Sequence, residues 1–195
     1  MSCFQEKKSK YILFYLLLTG AVFCFISCAT SSVRDDGPFV WITDKSKFIL
    51  LSPQNIEKPV DEFQLMSASF AGQNYFMNSW VKADENGMDI VLLNEMGAGL
   101  GELIWRDGNL SFSSTVFPSS LPPEYIVADF QLCFYNSAAL SQALKKSGLT
   151  LVETETARLI YMKKTLIIEI TKSENSITFN NHLRGYSYTL EGLRE

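Results

Sequence analysis

The chain is poor in histidine, which many catalytic and metal sites require. Its 195 residues include one histidine, His182, in the turn-like context Asn180-Asn181-His182-Leu183. A zinc site or a Ser/His/Asp triad would need partners for His182 that the spacing of the sequence does not suggest. We therefore expect His182 to be a solvated loop residue, and we expect a protein that is not an enzyme and holds no metal or other cofactor.

Beyond residue 27 the chain also lacks a cluster of lysine and arginine. The whole chain carries 17 basic and 21 acidic side chains, a net charge of −4. Leaving out residues 1–27, which hold three basic residues and one acidic residue, gives 14 against 20 and a net charge of about −6. An acidic protein without a basic patch has no electrostatic footprint for nucleic acid. Nucleic acid is therefore not expected as a partner.

The apolar stretch near the start of the chain, residues 11–26, is too short to be a membrane span. It has about 16 residues, whereas a helix needs roughly 20 to cross the hydrocarbon. Lys7, Lys8 and Lys10 precede it, and Ser27-Cys28-Ala29 follows it. A basic segment, an apolar run and small residues in this order indicate a secretory targeting segment. The cysteine at its end favours a bacterial lipoprotein whose lipid is attached to Cys28.

Two alternatives to a lipoprotein are a retained membrane anchor and an ordinary signal peptide. The short apolar run disfavours the first, and Cys24 and Ile26 disfavour the second because they stand where small residues precede a cleavage site. Phe25 departs from the leucine that is usual at its place before a lipidated cysteine. The lipoprotein interpretation divides the chain into a signal peptide (1–27), a lipidated cysteine with a polar tether (28–38) and a single β domain (39–195). Acyl chains on Cys28 would anchor this domain stably to a membrane outside the cytoplasm.

Cysteine is too scarce for a disulfide framework. Cys3 and Cys24 leave with the signal peptide and Cys28 carries the lipid, so Cys133 has no partner. Its apolar neighbours predict a small buried hydrophobic residue. The roughly 168 residues that follow the signal peptide are a usual size for one domain, so folding must rest on a hydrophobic core.

Short extended runs separated by turn residues predict about eleven strands. The strands are expected at 48–52, 62–70, 75–83, 88–94, 101–105, 110–117, 149–153, 158–162, 166–171, 176–180 and 186–190. Asn86-Gly87 and Asp107-Gly108 are dipeptides typical of hairpin turns. Gly97, Gly99 and Gly101 lack the Lys-Ser/Thr ending of a phosphate-binding loop, so they indicate a bulge or tight turn.

One helical segment, from about 124 to 146 and bent near 136–137, interrupts the strands. Its apolar residues follow the helical period. A single antiparallel sheet of about eleven strands must curl or close. We therefore predict a mainly β (α+β) domain, a curved antiparallel half-barrel wrapped around the helical segment.

Several strands are apolar on both faces, which predicts either a doubly covered sheet or a cavity with apolar walls. The simpler interpretation is that their aromatic and methionine side chains form the core. The alternative is that they line a ligand cavity; the candidates are Phe70, Tyr75, Phe76, Met77, Trp80, Trp105, Phe112 and Phe134.

Asp129 stands within the apolar helical run, where a carboxylate must be paired or reach solvent. Arg158 is the natural partner, so a structural Asp129–Arg158 ion pair is expected; contact with a ligand and simple exposure are the alternatives. The adjacent acids Asp84 and Glu85 lie in a turn and are expected to be solvated rather than to act as an acid–base pair.

Two stretches resemble known families. Asp129, Gln131, Leu132 and Tyr135 before an Ala/Leu-rich helix, followed by Arg158 and the C-terminal Gly185-Tyr186-Ser187-Tyr188, resemble a family of uncharacterised bacterial lipoproteins with a domain of unknown function. The glycines at 97, 99 and 101 that enter the strand to Trp105 resemble the fold of the lipoprotein carrier and receptor proteins LolA and LolB. The likeness covers roughly residues 60–190.

The resemblance implies an outer-membrane lipoprotein that binds or transfers a lipid or another acylated, amphipathic ligand in an apolar half-barrel cavity. It also implies a membrane partner through the acyl anchor, and a carrier protein or export complex as a further partner. Ala29 after the cysteine fits sorting to the periplasmic face of the outer membrane. The alternative function is a non-catalytic envelope scaffold that binds a membrane protein complex.

Overall fold

The computed structural model describes residues 37–70, 72–106, 108–117 and 122–192. The predicted signal peptide, Cys28 and most of the tether lie outside the described residues. The described residues belong to one compact unit, Asp36–Glu195. This unit holds every described element and a hydrophobic core of its own.

The described elements are twelve strands, two α-helices and a short 3-10 helix. They are β1 (Phe39–Trp41), β2 (Lys47–Ile49), the 3-10 helix (Pro53–Asn55), β3 (Val60–Phe70), β4 (Gln73–Asp84), β5 (Gly87–Leu93), β6 (Gly99–Arg106), β7 (Asn109–Ser114), α1 (Glu124–Phe134), α2 (Ser137–Lys146), β8 (Thr150–Glu153), β9 (Ala157–Met162), β10 (Thr165–Lys172), β11 (Ser176–Asn181) and β12 (Tyr186–Gly192). All eleven predicted strands are confirmed, with ends shifted by a few residues. Strand β1 was not predicted.

Ten of the strands form one antiparallel sheet in the order β7-β6-β5-β4-β3-β12-β11-β10-β9-β8. Hairpins connect most neighbours, whereas the pairing of β3 with β12 joins the two halves of the sheet across the length of the domain. Strands β1 and β2 form a separate hairpin. The predicted fold class, a curved antiparallel half-barrel around a helical segment, is confirmed.

Helix α1 packs against one face of the sheet, which we call the helix face; the opposite face is the outer face. Asp129 and Cys133 of α1 lie against Tyr186 and Tyr188 of β12, whose hydroxyl oxygens are 2.7 Å from Asp129 Oδ2 and 3.9 Å from Cys133 Sγ. Side chains alternate between the faces along each strand. Residues opposite Tyr186 and Tyr188, and every second residue from them, therefore share the helix face.

The predicted bent helix is two helices, because the chain becomes extended at Tyr135 and Asn136. Tyr135 forms an isolated antiparallel bridge with Ile56. Asn136 then caps α2: its side chain accepts a hydrogen bond from the Ala139 amide at 2.9 Å. Gly148, in the left-handed conformation with φ of 74°, follows the end of α2, a position where glycine commonly terminates helices.

Arg158 of β9 ties the break between the helices to the sheet. Its side chain is 1% exposed. Nη1 donates to the carbonyl oxygens of Leu132 and Cys133, each at 3.1 Å, and so satisfies the last turn of α1. Nε donates to Glu153 at 2.7 Å, and Nη2 donates to Glu57 at 3.0 Å.

The predicted Asp129–Arg158 ion pair is therefore wrong. Arg158 binds the C-terminal end of α1, and Asp129 accepts a hydrogen bond from Tyr186.

Replacing Arg158 by methionine is expected to lower the free energy of unfolding by roughly 2–5 kcal/mol, because buried carbonyl oxygens lose their donor and two carboxylates lose their cation. The measurement is urea denaturation followed by circular dichroism. Arg106→Met is the matched control, since Arg106 pairs with Asp89 at the surface and exposed pairs contribute about 0–1 kcal/mol. Equal losses in the two variants would contradict a central role for Arg158.

Candidate ligand-binding pocket

A pocket of about 500 Å³ lies where the β4–β5 and β6–β7 turns face segment 50–54, which ends in the first two residues of the 3-10 helix. We call it the Trp105 pocket. Its apolar lining residues are Pro38, Leu50, Leu51, Pro53 and Trp105. Its polar lining residues are Ser52, Gln54, Glu85, Asn86 and Arg106, together with Gly108. The volume is within the range of small-molecule sites, which are concave and mainly apolar with a few polar groups.

The wall formed by segment 50–54 is fastened to α1 by a side-chain amide. Gln131, fully buried in α1, accepts a hydrogen bond from the Leu51 amide and donates one to the Leu51 carbonyl, both at 2.8 Å. Asn136 continues this attachment, since its backbone and side-chain nitrogens both donate to the Asn55 carbonyl at 2.9 Å. A buried amide with both groups paired stabilises the wall without leaving an unsatisfied polar atom.

Trp105 is the aromatic residue of the pocket lining. It is 2% exposed and lies on the helix face of β6 between Met88 and Leu110. Its indole Nε1 is a buried donor that has no hydrogen-bond partner among the described residues. Buried donors in folded proteins are nearly always paired, and an unpaired one costs about 1–3 kcal/mol. A bound ligand atom or an ordered water molecule is the expected partner.

The rim carries a charged pair that depends on a glycine. A side chain at Gly87 would place its Cβ 2.5 Å from the Trp105 carbonyl oxygen and 2.7 Å from Arg106 Cγ. Only glycine therefore allows Arg106 to lie across β5 and reach Asp89, with which it forms a salt bridge. Close approach of the backbone and of Arg106 therefore explains the glycine of the Asn86-Gly87 turn.

The eight residues predicted to line a cavity do not line one surface. Phe76 and Trp80 lie on the outer face, since their neighbours Met77 and Val81 point to the core. The Trp80 indole donates to Asp61 at 2.9 Å. For these two residues the predicted position is wrong, because a strand that is apolar on both faces does not reveal which face is covered.

The other six predicted residues share the interior side of the domain but are spread over its length. Phe70 and Tyr75 are 55% and 43% exposed, at the end of the sheet remote from the β4–β5 turn. Met77 is buried, and Phe112 packs beside Phe117 with ring centroids 6.2 Å apart. Phe134 stacks on Phe130 at 4.5 Å, within the helix layer. Of the eight, Trp105 alone lines the pocket.

Sequence reasoning missed segment 50–54 and Arg106 as parts of the site. Residues 50–52 were predicted as the end of a strand that in fact ends at Ile49, and the pocket joins segment 50–54 to two turns that lie far along the chain. The available clue was Gln131, a polar residue on an apolar helix, which had to find a buried partner.

The other residues considered as functional candidates lie in surroundings that indicate a structural role. His182 lies in the β11–β12 turn with Nε2 3.3 Å from Glu169, and its side chain is 45% exposed, as expected for a loop histidine. Cys133 is buried and free, and burial raises the pKa of its thiol to about 12. Gly97 has a φ of 81° in a turn, and the β5–β6 register shifts nearby, as the predicted turn or bulge requires.

Asp129 is the most strongly perturbed carboxyl group of the described residues. Burial raises its pKa to about 7, although the hydrogen bond from the Tyr186 hydroxyl and the positive charge of Arg184 favour the ionised form. Arg184 in turn donates to the Tyr125 hydroxyl at 3.0 Å. These contacts attach the N-terminal half of α1 to β12 and to the turn before it. None of the four residues involved lines the Trp105 pocket.

A comparison with protein-family models matches residues 61–194 to the family of proteins of unknown function DUF3261. The chain belongs to this family. The predicted resemblance to a family with a domain of unknown function is thus confirmed, and the DUF3261 match covers β3 to β12 and both helices. No curated protein matches the chain. Within the part of the chain that the structure describes, neither helix has the length and apolar character needed to cross a membrane.

Asp129→Asn is expected to stabilise the protein more at pH 8 than at pH 5. A carboxyl group whose pKa is raised by folding stabilises the native state below its unfolded pKa, near 3.8, and this contribution is lost as the pH rises toward 7. Asparagine does not titrate, so the difference in unfolding free energy between variant and native protein should grow by about 2.7 kcal/mol between these pH values, at about 1.36 kcal/mol for each pH unit from 5 to 7. A difference that does not change with pH would contradict the raised pKa.

Proposed function

We propose that this protein is a lipoprotein of the outer membrane that binds or transfers an acylated or otherwise amphipathic ligand, whose apolar part enters the Trp105 pocket. The observation that carries the proposal is the pocket itself, about 500 Å³ between an apolar wall and a polar rim. Trp105, which lines it, has a buried Nε1 donor without a partner among the described residues, and in this proposal the ligand accepts its hydrogen bond. In this proposal the protein binds or transfers the ligand and does not catalyse a reaction of it.

The division of the lining supports an amphiphile rather than a polar metabolite. The lining combines the apolar residues Leu50, Leu51, Pro53 and Trp105 with the charged residues Glu85 and Arg106. An apolar chain would gain about 25 cal/mol for each Å² it removes from water. A polar headgroup would meanwhile stay among the rim residues.

The position of the predicted tether also supports the proposal. Pro38, the last tether residue, lines the Trp105 pocket. Ten extended residues reach at most roughly 35 Å, so a lipid on Cys28 would keep the pocket within that distance of the membrane surface. A ligand could then pass between the bilayer and the pocket over a short path.

The curved antiparallel sheet around α1 further supports a likeness to the LolA and LolB fold. A carrier protein that delivers the ligand, or an export complex that receives it, is the protein partner we propose. In this proposal α1 fills the middle of the half-barrel, and the ligand occupies the space left near the β6–β7 turn.

One observation favours the second candidate, a non-catalytic envelope scaffold. Phe76, Trp80 and Phe63 are 60%, 48% and 38% exposed on the outer face of β3 and β4. Exposed aromatic side chains close together are typical of protein interfaces. A scaffold would use this face and would bind no lipid.

The anchor is tested by labelling cells with radioactive palmitate. The native protein is expected to carry the label and to sediment with outer membranes. Cys28→Ser should abolish both, while Cys133→Ser, the matched control, should keep the label because Cys133 is buried. Label on the Cys28→Ser protein would contradict lipidation at this residue.

The pocket is tested by native mass spectrometry and fatty-acyl probe titration of the chain from residue 29, purified without detergent. Gln54→Trp, at an exposed position on the pocket wall, should fill the pocket and weaken acyl binding at least tenfold. Trp80→Ala is the control and should bind as the native protein does, because Trp80 lies on the outer face. Equal binding by native protein and Gln54→Trp, or loss of binding in Trp80→Ala alone, would contradict the site.

A further inference from the structure

A second pocket, of about 350 Å³, adjoins the first at the same end of the sheet. We call it the Arg106 pocket. Its lining residues are Lys82, Asp84, Asn86, Gly87, Asp89 and Arg106. Asn86 and Arg106 line both pockets, so one ligand can extend from one to the other.

We propose that the Arg106 pocket binds a zwitterionic headgroup of the phosphoethanolamine type, whose acyl chain lies in the Trp105 pocket. This inference rests on the proposed function, since it names the class of amphiphile that the same site takes. It is carried by the arrangement of two cations and two carboxylates around one pocket.

Strand register places these charges side by side on the outer face. Lys82 of β4 lies directly opposite Asp89 of β5. In the next row along the two strands, Asp84 lies opposite Gly87, and Gly87 lies opposite Arg106 of β6. Cation and anion thus alternate in both directions, which matches a headgroup that carries both signs.

Asp89 retains acceptor capacity for an ammonium group. Its Oδ2 binds Arg106, whereas Oδ1 is buried and has no hydrogen-bond partner among the described residues. Asp84 is the second carboxylate, and the Asn86 amide that donates to its Oδ1 at 2.7 Å holds its pKa below the usual value. An ammonium group has three donors to share between the two acids.

Lys82 and Arg106 supply the complementary donors for phosphate. A lysine ammonium acts as a compact point charge, and the arginine guanidinium presents a planar fork that suits phosphate oxygens. Arg106 lies at the boundary between the pockets, so a phosphate held there would direct its acyl chain over the rim toward Trp105.

The balance of charge discriminates against an anionic headgroup. The two cations and two carboxylates of the Arg106 pocket cancel, and Glu85 on the adjoining rim adds one negative charge. A phosphoglycerol headgroup would meet the carboxylates without an ammonium group to pair with them. The negative phosphate and the carboxylates would then repel each other without compensation. We therefore expect the phosphoethanolamine headgroup to bind more tightly than the phosphoglycerol headgroup.

The experiment compares four probes with the chain from residue 29, which keeps every described residue. They are lyso-phosphatidylethanolamine, lyso-phosphatidylglycerol and monoacylglycerol of equal chain length, each below its critical micelle concentration, and glycerophosphoethanolamine without an acyl chain. Titration followed by native mass spectrometry should show lyso-phosphatidylethanolamine binding at least tenfold more tightly than lyso-phosphatidylglycerol. Monoacylglycerol should bind, and glycerophosphoethanolamine should bind at least tenfold more weakly than its acylated form.

Asp89→Asn should reduce the preference for the ethanolamine headgroup to about threefold or less and leave monoacylglycerol binding unchanged. Asp61→Asn, an acid on the same face outside the pocket, is the control and should keep the preference. Equal binding of the two lysophospholipids by the native protein, or a preference unchanged in Asp89→Asn, would overturn the headgroup inference while acyl binding stands. Absence of monoacylglycerol binding would overturn the proposed function as well. If glycerophosphoethanolamine bound as tightly as lyso-phosphatidylethanolamine, the inference that the headgroup belongs to a lipid would be overturned.

Discussion

The fold depends on the buried guanidinium of Arg158 more than on any other polar group. It joins the end of α1, the start of α2, segment 50–57 and the end of β8 through hydrogen bonds to Leu132, Cys133, Ser137, Glu57 and Glu153. Burying a cation is unfavourable unless its donors are paired. The break between the helices meets this condition, because a helix that continued past Phe134 would use its own carbonyl oxygens.

The Trp105 pocket follows from the same break. Because α1 ends at Phe134, Tyr135 can bridge Ile56, and the Phe134 carbonyl can accept the Glu57 amide at 3.0 Å. Gln131, one turn earlier, holds Leu51. These bonds hold segment 50–54, with the start of the 3-10 helix, opposite the β4–β5 and β6–β7 turns.

The strands and turns were predictable because their patterns are local. Alternation in Leu110 to Val116 and the Asp-Gly and Asn-Gly dipeptides locate strands and hairpins without knowledge of their neighbours. The site was not predictable from such patterns. Phe76 and Trp80 belong to a strand that is apolar on both faces, and the partners of Arg158 include backbone carbonyls, which leave no trace in the sequence. Only the position of α1 decides which face is covered.

Buried polar atoms without a partner mark the end of the sheet where β5 begins and β6 ends as a candidate binding site. Among the described residues, three buried side-chain atoms have no hydrogen-bond partner: Gln64 Oε1, Trp105 Nε1 and Asp89 Oδ1. Trp105 lies opposite Met88, the residue beside Asp89. The donor therefore faces one side of the sheet and the acceptor the other, within one step along β5. Trp105 and Asp89 each line a pocket, and the two pockets meet at Arg106. A ligand that crosses this rim with a hydrogen-bond acceptor on one side and an ammonium group on the other would satisfy both atoms, which a fully packed scaffold would leave unpaired.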